Sequence, residues 1–377
     1  MSTRNGSKEL SHVAAATPPP PSDLATEKFF ELSADMLCLA GLDGYFKVLN
    51  QAWNETLGYQ DDELLRAPYL DFVHPDDRAA TLIEAAKLGK GFKTINFRNR
   101  YRCKDGQYKW LAWTATPVLD NGTIYAAARD ITDEVAAEEG GRQVVHDQRA
   151  RVLAAMGGDG VVPVFQPILS IPGLQVIGFE ALSRFHIPPM RPPDQWFDDA
   201  SAAGLRTRLE IHAIRRAMEQ VCNLPPDTFL SINASPATLL SEEFVDAVTG
   251  LDGERLVVEV TEHATVEVYE PLQKAIDSLR RRGVRLAIDD AGAGFSSLKH
   301  IVRLVPEFIK LDLFLIRDIN VDPVKRAVVA GMLGVATQIG GRVIGEGVET
   351  EEELRVLVDL GVHCAQGFYL ALPRPLT

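Results

Sequence analysis

Polar side chains recur at the ends of successive strand-like segments in the C-terminal part of this chain. Each segment is rich in Val, Ile, Leu or Phe, yet it carries carboxylate, amide or ammonium groups where the loop begins. A single Asp or Glu in such a place is usually a helix cap or a solvated loop residue. Such a long series of successive strands with this feature is hard to explain by capping. In chain order the polar residues are Gln166, Glu180 with Arg184, Asn233, Glu259 with Glu262, Asp289 with Asp290, Lys310 with Asp312, Glu346 with Glu349, and Gln366.

These residues could support metal-ion chemistry. An unpaired buried carboxylate costs several kcal/mol or is neutralised by protonation, so Glu180 inside VIGFEALSRF needs a compensating cation. The candidate ligands are oxygen atoms, with no His or Cys among them, which favours Mg²⁺ or Mn²⁺ over Zn²⁺. The neighbours Asp289 and Asp290 could serve two ions. Two divalent ions about 4 Å apart would activate a water and stabilise the leaving oxygen of a phosphodiester.

The segments around these residues alternate between strand and helix over residues 158–377. Helical patterns such as RTRLEIHAIRRAMEQVC and TEEELRVLVDLG separate most of the strands. Eight strands with crossover helices predict a TIM-like (β/α)8 barrel, in which functional groups gather where strands end. An open doubly wound sheet is the alternative, but no GxGxxG follows its first strand. The predicted strands are VPVFQPIL, VIGFEAL, FLSINAS, RLVVEVTE, VRLAIDD, FIKLD, RVIGEGVE and CAQGFYL.

The N-terminal part has a different organisation. Residues 1–24 are rich in Ser, Ala and Pro and predict a disordered tail. Residues 25–132 contain short apolar runs around Asp-Gly and Asn-Gly turns, with short helical pieces between them, which predicts an α+β domain with an antiparallel sheet. Residues 133–157 predict a helical linker interrupted at Gly140 and Gly141. This linker either transmits a change between domains or is a passive spacer.

The amino-acid composition argues against two classes of binding partner and indicates a cellular compartment. The formal net charge of −13 argues against binding to a nucleic-acid polymer or a membrane surface, because both are polyanionic. Binding of a small phosphorylated ligand is still compatible with this net charge if bound metal ions make the electrostatic potential at the site positive. The four cysteines form no CxxC pair, so they are predicted core thiols of a reducing compartment. No secretory signal or spanning segment is visible, and a cytoplasmic location is predicted.

Four motifs give residues 25–132 a resemblance to a PAS sensor domain: NQAWNETLGYQDDEL, FVHPDD, RYRCKDGQYKWLAW and AARDIT. PAS domains bind haem, flavin or small metabolites, or simply dimerise. The flavin-reactive cysteine motif and the usual haem-binding histidine are both missing, and His74 is interpreted as part of a helix start. Trp53, Trp110 and Trp113 are predicted core residues. The sequence does not identify a PAS ligand.

The C-terminal part resembles the EAL family of cyclic di-GMP phosphodiesterases across nearly all of residues 160–375. The resemblance rests on FQPIL, GFEALSRF, SINASP, EVTE, IDDAGAGFSSL, IKLD, GEGVET and AQGFYLALP in this order. It implies a metal-dependent enzyme that hydrolyses cyclic di-GMP to linear pGpG under control of the PAS domain. Two Mg²⁺ or Mn²⁺ ions per EAL domain and a homodimer are expected.

The resemblance also implies a role for each matching residue. Lys310 would orient the attacking water and neutralise charge, and Glu346 would help to deprotonate that water. Glu262 would brace the loop after the paired aspartates. The implied metal ligands are Glu180, Asn233, Glu259 and Asp289 for one ion and Asp289, Asp290 and Glu346 for the other; the implied substrate contacts are Gln166, Leu182, Arg184 and Gln366; and the implied loop supports are Glu262, Asp312 and Glu349.

One departure from the family pattern is Ala291, where an aromatic residue usually follows the two aspartates. The smaller side chain removes a packing anchor, so altered regulation or weaker basal activity is expected. Two other functions remain open. The barrel could be a receptor that captures cyclic di-GMP without cleaving it, or a scaffold for protein interactions. Such degenerate members usually lose a metal or lysine position, and none is lost here.

Overall fold

The computed structural model describes residues 23–260, 269–291 and 295–376. The chain forms two compact units that divide at Gly141. Nearly all of the predicted disordered tail lies outside the described residues, and its last two residues begin a helix. Glu262 and the loop residues 292–294 also lie outside the described part of the chain.

The N-terminal unit contains a five-stranded antiparallel sheet, as predicted, with strand order β2-β1-β5-β4-β3. Gly44 and Gly106 have φ angles of 87° and 91°, a left-handed conformation that suits glycine in the tight turns after β1 and β3. The elements are α1 (Asp23–Leu32), β1 (Met36–Gly41), β2 (Phe46–Leu49), α2 (Ala52–Leu57), α3 (Asp61–Leu65), α4 (Arg78–Leu88), β3 (Thr94–Arg102), β4 (Tyr108–Val118) and β5 (Thr123–Asp130).

Two of the three tryptophans that the sequence predicts in the core of this unit, Trp53 and Trp113, lie there, and the prediction is wrong for Trp110. Trp53 is fully buried, and its indole nitrogen donates a hydrogen bond to the Leu37 carbonyl. Trp113 packs against the same core, whereas Trp110 lies half-buried beneath the Arg100 guanidinium. His74 precedes a short helical turn and its Nδ1 accepts a hydrogen bond from the backbone N–H of Asp76, which confirms its interpretation as a helix start.

The linker is one continuous helix, α5 (Thr132–Ala155). The predicted interruption at Gly140 and Gly141 is therefore wrong. A glycine costs an α-helix about 1 kcal/mol relative to alanine, which weakens a helix of this length without breaking it. The last turns of α5 are fixed by packing, because Val152 and Ala155 are buried in one cluster with Trp196 of the C-terminal unit.

The C-terminal unit is a closed barrel of eight strands, and each predicted strand overlaps an observed one. β9 and β11 are short, largely apolar strands that are buried on both faces, as expected for a barrel wall. Their order around the barrel is β10-β11-β12-β13-β6-β7-β8-β9. The strands are β6 (Val161–Ser170), β7 (Val176–Phe185), β8 (Phe229–Asn233), β9 (Leu256–Val260), β10 (Arg285–Ala291), β11 (Phe308–Leu311), β12 (Arg342–Gly345) and β13 (Cys364–Ala365).

The barrel departs from an all-parallel (β/α)8 arrangement at its first strand. β6 pairs antiparallel with both β7 and β13, whereas the other neighbouring strands are parallel. Residues 171–175 are too few for the crossover that parallel strands require. β7 pairs with β8 only as far as Ala181 and continues beyond it alongside β6. Glu180 therefore lies near the middle of β7, but near the end of the part of β7 that pairs with β8 in the barrel wall.

The helices of this unit begin and end at sequence signals. Thr350 and Glu353 form a capping box at the start of α14, and Gly361, with a φ angle of 81°, ends it. Asp322 caps α13 and Gly340 ends it in the same left-handed conformation. The helices are α6 (Pro193–Ala202), α7 (Arg206–Met218), α8 (Pro236–Leu239), α9 (Glu242–Ala247), α10 (Tyr269–Arg280), α11 (Phe295–Leu304), α12 (Leu313–Ile316), α13 (Pro323–Ile339) and α14 (Glu351–Leu360).

The cysteines are free thiols, as predicted, but they are not all core residues. Cys38, Cys103 and Cys364 are buried, whereas Cys222 is exposed in a short turn after α7. None of the described helices is both long enough and apolar enough to cross a bilayer.

Candidate active site

Lys310 lies at the centre of a buried group of carboxylates at one end of the barrel. Its side chain is only 1% exposed. The strands around the barrel bring these charges together, since β11 follows β10 and precedes β12 in the wall. The Lys310 Nζ atom lies 2.6 Å from Glu259 Oε2, 2.6 Å from Glu346 Oε1, 3.1 Å from Asp289 Oδ1 and 3.4 Å from Glu180 Oε2.

Glu180 is oriented by two amide groups. Asn233 Nδ2 donates a hydrogen bond to Glu180 Oε1 over 3.0 Å, and Gln366 Nε2 donates one to Glu180 Oε2 over 2.7 Å. The neighbouring Glu259 is held by Lys310 at one oxygen and by the Ser231 hydroxyl, 2.5 Å away, at the other. Both carboxylates therefore have fixed positions before any ligand binds.

Asp289 and Asp290 lie side by side at the end of β10 and belong to one acidic cluster. Consecutive residues of a regular strand point to opposite faces. Here the register shifts between Ile288 and Ala291, and Asp290 has a positive φ of 52°. One oxygen each of Asp289, Asp290 and Glu346 then lies within 4.8 Å of the others.

The excess of negative charge shifts the pKa values of the site. Burial raises the pKa of Glu259 well above its usual range, and the nearby Glu180 charge raises it further. Burial likewise raises the pKa of Glu346 well above normal, despite the neighbouring Lys310. The pKa of Glu180 is lowered, because Lys310 and the two amide donors outweigh the effect of burial. Burial would lower the pKa of Lys310, but Asp289 and the other carboxylates raise it well above normal. One ammonium cannot keep all of these carboxylates ionised.

This donor set fits divalent cations. The described ligand atoms are carboxylate and amide oxygens, the ligands that Mg²⁺ and Mn²⁺ prefer. Added positive charge would remove the electrostatic conflict among the carboxylates. Asp289, Asp290 and Glu346 could hold one cation, as the family resemblance implies. Glu180, Asn233, Glu259 and Asp289 are the candidates for the other.

The four predicted substrate contacts occupy two different settings. Gln166 and Gln366 are buried, and Gln366 Nε2 donates to Gln166 Oε1 over 2.9 Å. The Oε1 atom of Gln366 is buried and has no hydrogen-bond partner among the described residues, which leaves one acceptor for a ligand. Leu182 and Arg184 instead line a separate pocket of about 240 Å³ that also borders Asn233.

The three predicted loop supports are not part of the carboxylate group as the structure describes it. Glu349 is exposed and pairs with Arg317 over 3.3 Å. Asp312 lies two residues after Lys310, and its side chain makes no cap hydrogen bond at the start of α12. Glu262 lies outside the described residues. Their supporting roles stay predictions.

Sequence reasoning missed two buried polar residues at the site. Ser231 is two residues before Asn233 in β8, so the strand period of two places both on one face. Glu210 of α7 is buried, accepts a hydrogen bond from the backbone N–H of Ser235 over 2.9 Å and pairs with Arg206. In the sequence, Glu210 is indicated only by Arg206, which lies four residues earlier on the same, otherwise apolar face of the helix.

Comparison with known families accounts for both units. Residues 149–373 match the family described as EAL domain. The chain belongs to the EAL domain family. Residues 46–127 match the family described as PAS fold, so the predicted PAS-EAL organisation is confirmed. The domain boundaries proposed from sequence stay predictions.

Relatives of this EAL-domain protein include signalling proteins and phosphodiesterases. Signaling protein YkoW of Bacillus subtilis is 29% identical over 377 residues, which cover 88% of this chain and 47% of YkoW. Cyclic di-GMP phosphodiesterase PdeL of Escherichia coli is 29% identical over 225 residues, which cover 56% of this chain and 62% of PdeL. The chain thus spans less than two thirds of the length of either relative.

A solved structure with the same barrel is Klebsiella pneumoniae BlrP1, in a complex with manganese and cyclic di-GMP. BlrP1 is 32% identical to this EAL-domain protein over 58% of this chain and 57% of BlrP1, with a TM-score of 0.52. The carboxylate group therefore lies in a barrel whose relative binds both a divalent metal and a cyclic dinucleotide.

Proposed function

We propose that this EAL-domain protein hydrolyses cyclic di-GMP to linear pGpG with two Mg²⁺ or Mn²⁺ ions as cofactors. The observation that carries the proposal is the position of Lys310, whose Nζ lies within 3.4 Å of four carboxylates. One ammonium balances only part of the negative charge of four carboxylates, and bound cations would balance the rest in place of protons. The names of PdeL and of the BlrP1 complex support the choice of substrate and metal.

Lys310 and Glu346 would have different roles in the hydrolysis. When bound, the cations supply an activated water and positive charge for the phosphate and the leaving oxygen. The Lys310 ammonium would donate to the attacking water and stabilise the charge that develops on the phosphate. Glu346 Oε1, 2.6 Å from Lys310 Nζ, is the acceptor proposed for the proton of that water.

The rest of the dinucleotide would occupy the pocket of about 240 Å³ beside Asn233. Arg184 lines this pocket and could reach a phosphate, while Leu182 offers an apolar contact. Gln366 Oε1 would accept a hydrogen bond from the ligand, since it has no partner among the described residues. These contacts would hold the scissile bond against Lys310.

Regulation by the PAS domain would act through α5. The C-terminal half of this helix is held on the barrel unit by buried apolar side chains and by Asp199, which accepts hydrogen bonds from Gln148 and Arg151. Phe185 ends β7, the strand that carries Glu180, and it packs in the same cluster as Val152. A change in α5 would thus reach the active-site strand. Association into a homodimer and a cytoplasmic location are further parts of the proposal.

The test is direct. The purified 377-residue chain is incubated with cyclic di-GMP and Mg²⁺ or Mn²⁺, and pGpG is followed by chromatography. Turnover is expected with wild type and should be lost in Glu180→Gln, which keeps the side-chain shape but removes the charge. Full turnover by Glu180→Gln would show that the metal assignment is wrong.

The receptor alternative is separated by measuring binding and turnover on the same sample. Tight binding with no product over hours would favour a receptor over an enzyme. Ca²⁺ in place of Mg²⁺ should permit binding and block hydrolysis, because its larger and looser coordination shell positions the nucleophile poorly. Equal rates with Ca²⁺ would count against two-metal chemistry.

A further inference from the structure

The C-terminal unit has a second cleft, of about 450 Å³, between the end of α5, α7 and the first turn of α9. This volume lies in the range that small-molecule sites occupy. None of the residues that line the cleft also lines the pocket beside Asn233, so the two spaces are distinct. Leu153 and Met156 form the wall on the side of α5, and Glu243 belongs to the wall on the side of α9.

The third wall is one face of α7. Arg208, His212 and Arg215 are spaced by four and three residues, which places their side chains on the same side of the helix. Leu209 and Ile214 lie on the other sides of α7 and are buried in the hydrophobic cores of the unit. Packing against the barrel therefore leaves the basic face of α7 directed into the cleft.

The two arginines of this face have no charged partner. Within the described part of the chain, neither the Arg208 nor the Arg215 side chain makes a hydrogen bond or an ion pair. The other two arginines of α7, Arg206 and Arg216, each pair with a carboxylate. Guanidinium groups bind phosphate oxygens through paired hydrogen bonds. The cleft thus offers two sets of vacant donors that suit an oxyanion.

His212 lies between these arginines on the helix face and adds a buried polar atom. Its Nε2 atom is buried and has no hydrogen-bond partner among the described residues. Native proteins rarely leave such an atom unsatisfied. Burial lowers the pKa of His212, and Arg216 and Arg215 lower it further against the opposing effect of Glu219. The imidazole is therefore neutral at neutral pH, and one of its nitrogens carries a proton that it can donate to a ligand.

The remaining wall restricts what the rest of a ligand can be. Glu243 is the one carboxylate among the described lining residues, and its side chain has no hydrogen bond or ion pair within that part of the chain. A molecule that is anionic on every side would be repelled by this carboxylate. A molecule with a hydroxyl or amino group on that side would donate a hydrogen bond to it.

We propose that this cleft binds a small molecule that carries a phosphate group, with the phosphate at Arg208, His212 and Arg215 and a hydroxyl or amino group towards Glu243. Two guanidinium groups match the charge of a phosphate monoester, which is nearly dianionic at neutral pH. Because Leu153 lies in the last turn of α5, the bound molecule would also contact the linker. The site is separate from the carboxylate group, and its existence does not depend on the hydrolysis of cyclic di-GMP.

Three probes test the ligand chemistry. Inorganic phosphate carries the anion alone, glycerol 3-phosphate adds hydroxyl groups, and acetate replaces the phosphate by a carboxylate. The purified 377-residue chain is titrated with each by calorimetry in EDTA, so that no metal ion recruits the anion to the carboxylate group. Saturable binding is expected with both phosphates, tighter for glycerol 3-phosphate, and none with acetate.

Two results would contradict the ligand assignment. The proposal is overturned if neither phosphate binds saturably up to about 20 mM, well above a Kd of about 1 mM, or if acetate binds as tightly as phosphate. Equal affinities for inorganic phosphate and glycerol 3-phosphate would overturn the part of the proposal that concerns Glu243.

Four variants locate the bound phosphate. Arg208→Gln and Arg215→Gln keep a long polar side chain at exposed positions and remove the charge, so each should lower the phosphate affinity at least about tenfold, the ratio that one charged hydrogen bond supplies. Arg281→Gln is the matched control, because Arg281 is exposed and lies outside the cleft. Arg184→Gln tests the pocket beside Asn233.

Both of these control variants should bind phosphate as wild type does. Unchanged affinity in either Arg208→Gln or Arg215→Gln would overturn the proposal. An equal loss in Arg281→Gln would show that the binding is unspecific, and an equal loss in Arg184→Gln would place the phosphate in the other pocket; either result would also overturn it.

Discussion

Asp289 and Asp290 are consecutive residues of β10, yet one carboxylate oxygen of each lies within 4.8 Å of the other and of Glu346. A regular strand would point the two side chains to opposite faces of the barrel wall. The positive φ of 52° at Asp290 and the local register shift turn the second carboxylate towards the first. This irregularity of the strand is what forms the three-carboxylate cluster.

Replacing Asp290 by asparagine should weaken metal binding without disturbing the backbone. Asparagine tolerates a positive φ as well as aspartate does, but it removes one negative charge from the cluster. Metal affinity should fall at least about tenfold, since even residues that only orient ligands commonly contribute that much. Isothermal titration with Mn²⁺ and turnover of cyclic di-GMP measure the two effects.

The matched control is Asp318→Asn. Asp318 also has a positive φ, of 60°, but it lies on the exposed surface after α12. This variant should bind Mn²⁺ as wild type does. If both variants lose metal affinity equally, the loss reflects the backbone and the assignment of Asp290 as a ligand fails.

Replacing Lys310 by methionine should abolish turnover and destabilise the metal-free protein. The change removes the only cation that the described structure places among the four carboxylates. Breaking such a buried ion pair costs about 3–5 kcal/mol, and losing a charged group aimed at the reaction costs a hundredfold or more in rate. Bound Mn²⁺ should restore much of the stability but not the rate.

Urea unfolding in EDTA and in Mn²⁺, together with pGpG formation, checks this prediction. Lys274→Met is the matched control, because Lys274 pairs with Glu270 on the exposed surface of α10. Its effect on stability should stay below about 1 kcal/mol. Turnover within threefold of wild type by Lys310→Met would contradict the catalytic role of the lysine.

The sequence predicts most residues of the site because each candidate lies in, or just after, a segment whose residue pattern predicts a strand. Glu180, Asn233 and Lys310 lie in short apolar runs whose ends must meet in a barrel. The reversed direction of β6 was also implicit in the short connection to β7, although the helix-strand alternation elsewhere hides it. The fold class was therefore predictable from pattern and chain length.

What the sequence could not give depends on local backbone geometry and on side-chain partners. The positive φ at Asp290 could not be located from the sequence, because aspartate tolerates this conformation but adopts it at only a minority of its positions. In the sequence, Ser231 is only a single polar residue in a buried strand, and its role depends on the hydrogen bond that its hydroxyl donates to Glu259. Gly140 and Gly141 predict a break in the linker, but the remaining helix-favouring residues keep α5 continuous.

The stabilising effect of a divalent metal should increase with pH. In the metal-free protein the pKa values of Glu259 and Glu346 are raised above their unfolded values. Above about pH 4.5 the folded state therefore binds more protons than the unfolded state. As the pH rises towards the folded pKa values of these two residues, their contribution to the free energy of unfolding decreases. A metal ion that replaces these protons removes the loss, so the metal-induced rise in Tm should grow over this range.

Thermal unfolding in EDTA and in saturating Mn²⁺ from pH 5 to pH 8 measures this effect. The difference between the two Tm values cancels the titration of groups elsewhere, such as Asp77, whose pKa is lowered by Arg100. A constant difference across the range would mean that metal binding releases no protons. The Mn²⁺ concentration is kept fixed: where it equals 100 times Kd the stabilisation should be about 2.7 kcal/mol, and it should be smaller at lower pH, where protons compete and Kd is larger.

Replacing Asp199 by asparagine should loosen the C-terminal half of α5 from the barrel unit. Asp199 is nearly buried and accepts hydrogen bonds from Gln148 over 2.9 Å, from Arg151 over 3.0 Å and from Arg191. Charged hydrogen bonds of this kind contribute about 1.5–3 kcal/mol, and the asparagine amide would place a donor opposite an arginine. Hydrogen exchange of residues 142–155 should therefore become faster.

Asp198→Asn is the matched control, because Asp198 is the exposed neighbour of Asp199 in α6. It should leave exchange in α5 unchanged. If α5 transmits the state of the PAS domain, Asp199→Asn should also change the rate of cyclic di-GMP hydrolysis, while Mn²⁺ affinity stays the same because no ligand is altered. Faster exchange with an unchanged rate would show that the linker is a passive spacer. Unchanged exchange would show that packing by Val152 and Ala155 alone holds the helix in place.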